Sequence, residues 1–194
     1  MINIGTMFFL LIIFFAIIGA MRGWTKEVIA TSGLILALFT INQFGSLIMM
    51  NIVGSTGDPV IDTIETRRQI FYIFSIITWV IAFFSYQGPA LAGGKVAARL
   101  RIRDSFQDKF MGLAVGALNG YLVIGATLSY VEYILIAPGN WERLPAGIAY
   151  PFPIETVTRL DILPLMNFLP MPILAPYLAI LLVLVFLFVI IVMI

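Results

Sequence analysis

The side chains that could do chemistry are few in this sequence. It has no histidine and no cysteine. That removes the commonest general base, the commonest metal ligand, the thiolate nucleophile and any disulfide. Glu132 reads as the one acid inside an apolar stretch, near its far end, where it is expected to be a surface residue at the interface or a partner for Arg143. A proton relay through a membrane would need several ionisable groups at depth. Thr31-Ser32 has no neighbouring base and reads as a source of interhelical hydrogen bonds rather than a nucleophile. Gly88 to Gly94 lacks the lysine and hydroxyl placement of a phosphate loop. No catalytic, metal or cofactor residue is expected, and the sequence points away from an enzyme.

The elements that would position these groups are membrane spans. Hydrophobic residues make up 61% of the 194 and charged residues only 11%. The mean hydropathy is +1.07. Such a chain cannot cover a water-facing surface, so it is expected to be an all-α integral membrane protein. The pattern predicts a bundle of five transmembrane helices with a proline-rich extracytoplasmic cap between the fourth and fifth. The divisions are a four-span core over residues 1–136, the cap over 137–176 and a last helix over 177–194.

The clearest packing signal lies in Ser105 to Tyr121, SFQDKFMGLAVGALNGY. Gly112, Gly116 and Gly120 recur every four residues, which sets them on one helical stripe beside Asn119. In lipid, where apolar burial drives little association, small residues let backbones approach closely. The stripe is expected to hold the fourth span against the second or third. Ser105 with Asp108 reads as a capping box at its start.

Taken in order, Ile4 to Met21 is a first span rather than a signal peptide, since no basic region precedes Thr6. A polar turn follows, Arg22-Gly23-Trp24-Thr25-Lys26-Glu27. Thr25 is the expected cap of the next helix, and Glu27 suits its positive end. Val28 to Met50 is the second span, with Asn42 and Gln43 expected to face protein. Asn51 to Arg68 is a loop, and Gln69 to Gln87 is the third span, which Gly88-Pro89 should break or kink. Lys95, Arg99, Arg101, Arg103 and Lys109 follow. They do not sort to one face of a continuous helix, so they read as a headgroup anchor rather than a nucleic-acid patch. Phe110 to Ile136 is the fourth span.

Ala137 to Pro176 holds eight of the ten prolines, yet it is too apolar for a disordered linker. It reads as a folded interfacial cap with a short helix near Ile154 to Leu163. Tyr177 to Ile194 is apolar all round and is expected to face lipid or another subunit. Arg22, Lys26 and the five basic residues from Lys95 to Lys109 fall on one side, and Arg67, Arg68, Arg143 and Arg159 on the other. The richer side is expected to be cytoplasmic, with the N-terminus outside and the C-terminus inside.

Two segments carry a resemblance. MRGWTKEVI contains Arg22, Gly23, Lys26 and Glu27, and DKFMGLAVGALNGYLV contains the glycine stripe. Together they resemble the colicin V production protein family of bacterial inner-membrane proteins, over about Gly5 to Tyr133. In that family an arginine often precedes the last glycine of the stripe, where this chain has Asn119. The resemblance implies a multi-span inner-membrane protein linked to colicin V export and envelope homeostasis, with no catalytic residues to carry over. The expected role is a scaffold or export accessory. The alternatives are an accessory subunit of a larger membrane complex and a small transporter or channel. Expected partners are the lipid bilayer and other membrane subunits or a second copy, with no nucleic acid.

Overall fold

A computed structural model describes residues 4–91, 106–145, 147–148, 150–151 and 167–193. Helix α1, Ile4–Arg22, is followed after a single residue by α2, Trp24–Ile48, which runs on through a π-helical turn, Met49–Val53. Helix α3 is Ile64–Leu91 and α4 is Phe106–Glu132. A short hairpin follows, β1 Tyr133–Ala137 and β2 Asn140–Arg143. The chain continues with α5, Pro170–Leu174, a 3-10 turn Ala175–Tyr177 and α6, Leu178–Met193. Among the described residues, five helical segments are long and apolar enough to cross a membrane. The protein is an all-α membrane protein with one small hairpin added.

Several boundaries differ from the sequence expectations. The fourth span ends at Glu132, and Tyr133 to Ile136 belong to the antiparallel hairpin instead, with Leu135 opposite Trp141. A short apolar run has no periodicity that separates helix from strand. Here the Pro138-Gly139 turn, with Gly139 at φ +82°, folds it back. Helix α3 begins at Ile64, and it passes Gly88-Pro89 to end at Leu91. Pro89 lies two residues from that end, so the helix stops within one turn of it rather than breaking at it. The capping role of Ser105, the residues Lys95, Arg99, Arg101 and Arg103, and the helix anticipated at Ile154 to Leu163 lie outside the described residues.

The glycine stripe is a packing seam, but its partner is the first span, not the second or third. Gly112, Gly116 and Gly120 face Gly19, Phe15 and Ile12 of α1. A Cβ on Gly116 would stand 2.6 Å from the Phe15 carbonyl oxygen and 2.8 Å from the Gly19 Cα. Only hydrogen fits there, and the two backbones meet directly. The core between the helices is built by Leu34, Leu38 and Ile41 of α2, Phe74 of α3, and Leu122 and Val123 of α4. Helix α6 lies along α2, with Phe188 edge-on to Trp24, and most of its other side chains are exposed.

Candidate functional site

Besides a buried Thr78–Tyr130 hydroxyl contact, the buried polar groups that join the helices gather into two clusters, one near each end. The first forms where the α1–α2 turn meets the end of α3 and the first half of α4. Gly23 takes φ +83°, so the chain reverses in one residue. A Cβ at this position would also stand 2.5 Å from the Asp108 carboxylate. Asp108 accepts the Trp24 backbone N–H at 3.2 Å, so the cap of α2 comes from α4 rather than from Thr25. The Thr25 hydroxyl is buried and makes no hydrogen bond.

The turn sends Glu27 into the bundle, where it is 0% exposed. Glu27 is thus a second acid embedded in a span, beside the expected Glu132. Its carboxylate accepts from Arg22 at 2.5 Å, from Asn119 Nδ2 at 2.8 Å and from the Tyr86 hydroxyl at 3.1 Å. Asn119 also donates to the Glu27 carbonyl at 3.0 Å and accepts the Thr31 hydroxyl at 2.7 Å. Arg22 donates to the Tyr86 carbonyl at 2.8 Å and sits 4.4 Å above the Tyr86 ring. One carboxylate therefore ties four helices together, with an opposite charge and hydrogen bonds compensating its burial.

The second cluster closes the opposite end. Asn42 of α2 accepts the indole N–H of Trp141 at 2.9 Å and the backbone N–H of Gly139 at 3.1 Å, and donates to the Ala175 carbonyl at 3.4 Å. It pins the hairpin tip and the entry to α6 onto the same helix. Gln43, its neighbour, is exposed, so only one of the expected pair faces protein. Glu132, also 0% exposed, pairs with Arg143 at 2.5 Å and accepts the Tyr150 hydroxyl at 3.2 Å. This pair closes the base of the hairpin; of the two roles open to Glu132 from sequence, the structure takes the partner of Arg143 and not the surface residue.

Beyond that end the loop from Gly54 to Thr63 is ordered by Asp62. Its carboxylate accepts the Ser55 hydroxyl and, at 2.8 Å each, the Thr56 N–H and hydroxyl. Burial pushes the Asp62 carboxyl up, but these hydrogen bonds and the Arg67 charge outweigh it and hold the group below its ordinary 3.8. Arg67 in turn donates to the carbonyls of Pro59 and Asp62.

The structure brings Arg22, Gly23 and Glu27 together with Asn119, so the turn and the glycine helix named from sequence form one assembly. Lys26 is half-buried and Lys109 is exposed near the first cluster's end of the bundle. Tyr86, Thr31 and Asn42 complete the clusters, and no local spacing marked their partners. Among the described residues no group of acids could hold a metal.

A short turn that drives an acid into the bundle, opposite a glycine-striped helix carrying its amide partner, defines a multi-span membrane protein with a polar internal lock. The model of the family described as colicin V production protein matches residues 5–143, and the chain belongs to that family. The matched range runs from the start of α1 through the hairpin. No curated protein and no solved structure matches the chain.

Proposed function

We propose that this protein is a non-enzymatic scaffold or export accessory of the bacterial inner membrane, linked to colicin V production and envelope homeostasis. The observation that carries the reading is how the buried polar groups are used. Glu27, Asn119, Asn42 and Glu132 each join separate elements, and their bonding capacity goes into holding the frame. A chemical step needs a group poised toward a substrate, whereas these groups face one another. Family membership supports the tie to colicin V production.

Complementation tests this reading. In a colicin V-secreting strain that lacks its own family member, expression should restore the zone of growth inhibition around the producer. Correct membrane insertion without any restored zone overturns the proposal.

A second reading rests on α6. Its residues Leu178–Met193 are apolar throughout and mostly exposed along one side of the bundle. That suits an accessory subunit whose last helix docks on a larger membrane complex. Purification in mild detergent decides it: a co-migrating membrane protein in fixed ratio supports the reading, and a lone monomer removes it.

A further inference from the structure

We propose that a cleft between α1, α3 and α4 is a binding site for one acyl chain of a phospholipid. The cleft has a volume of about 230 Å³. Ile4, Met7 and Leu11 form one wall, Ile124 and Leu128 the second, and Trp79 the third. An engineered apolar cavity of roughly 150 Å³ already takes up benzene and stays free of water.

The two polar groups on the lining are both spent. The Trp79 indole N–H donates to the Thr127 hydroxyl at 3.2 Å, and that hydroxyl donates to the Val123 carbonyl at 2.9 Å. The indole is thereby pinned as a wall, and the cleft offers a ligand no hydrogen bond. Water needs polar partners, so it gains nothing here. An unsubstituted alkyl chain is the chemistry that fits.

Position and direction select the same occupant. Met7 is 55% exposed and Trp79 is 42% exposed, so the cleft is continuous with the bilayer-facing surface of the bundle. Ile4 to Leu11 spans seven residues, about 10 Å along the helix axis. The trough therefore runs along the spans, as an acyl chain does. These residues form the half of α1 away from the Arg22 turn. The lipid thus belongs to the leaflet on the hairpin's side.

Native mass spectrometry of the full chain, extracted from membranes in mild detergent, tests this. The wild type should retain about one phospholipid per chain through washing. Leu128→Trp should fill the cleft and lower that retention at least fivefold. Ile13→Trp, on an exposed lipid-facing position about 200° around α1 from Leu11, should leave it unchanged. If Leu128→Trp does not fold, Met7→Trp at the exposed lip serves instead. A wild type that retains no lipid overturns the proposal, as does equal loss in the cleft and control variants. A polypeptide retained in place of lipid, and released by the cleft substitution, would make the cleft a helix-docking groove instead.

Discussion

Asn119 Nδ2 lies 2.8 Å from a carboxylate oxygen of Glu27, 92 residues earlier in the chain. The contact joins the start of α2 to the middle of α4 and completes the coordination of a buried charge. Arg22 supplies the opposite charge from the end of α1. Removing one partner of a buried pair leaves the other uncompensated. Arg22→Ala should therefore cost about 3–5 kcal/mol. Adding Glu27→Gln to Arg22→Ala should recover part of the loss, because the amide needs no counter-charge. Thermal unfolding in detergent measures both. A double variant no more stable than Arg22→Ala would show that charge burial is not the source of the effect.

The α1–α4 seam predicts a size-dependent loss at Gly116. Its Cβ would meet backbone on α1, which cannot rotate away as a side chain does. Gly116→Leu and Gly19→Leu should each lower the melting temperature, and Gly116→Leu more than Gly116→Ala. An unchanged midpoint for both leucine variants would mean that the helices do not touch here.

Asn42→Leu keeps the branched shape and the number of side-chain heavy atoms but leaves the Trp141 indole N–H and the Gly139 N–H without their acceptor. With the bond to Ala175 also lost, the cost should be about 2–3 kcal/mol at roughly 1 kcal/mol per hydrogen bond. The hairpin should loosen first, and trypsin should cut after Arg143 faster than in the wild type. Identical cleavage rates would place the hairpin's anchorage elsewhere.

Acid should weaken the loop that Asp62 organises. Its folded pKa lies below the unfolded value near 3.8, so its contribution is present above that value and is lost as pH falls through the folded pKa. Melting curves from pH 6 to pH 3 should show the wild type losing stability relative to Asp62→Asn at the acid end. Parallel curves for the two proteins would show that the Asp62 charge contributes nothing.

The hairpin and the Gly54–Thr63 loop share one end of the bundle, with Lys109 at the other. If the N-terminus lies outside, as the Lys and Arg distribution predicts, an impermeant thiol reagent added to intact cells should label Val60→Cys and Asn140→Cys but not Lys109→Cys. The absence of native cysteine makes each signal unambiguous. The reverse pattern would invert the topology.

What the sequence alone determined about this protein is its solvent and its punctuation. Run length and composition specify five spans, and the four-residue glycine spacing specifies a face that admits another backbone. The Glu132–Arg143 pair was legible only as one of two options, its members lying eleven residues apart across one turn, and the full burial of Glu132 was not legible. The partner of the glycine face was not legible. Every span presents apolar surface, and in lipid apolar surface does not choose among neighbours; close steric fit does. Only the folded chain sets Gly19 against Gly116. Glu27 was misread for a related reason: one turn into a helix, an acid reads as a surface group serving the dipole. Its burial depends on Asn119 and Tyr86, which lie in other helices, and on a turn at Gly23 tight enough to carry it inward. Tyr133 to Ala137 became a strand because Asn42 and Trp141 hold its turn against α2, a contact between residues 99 positions apart.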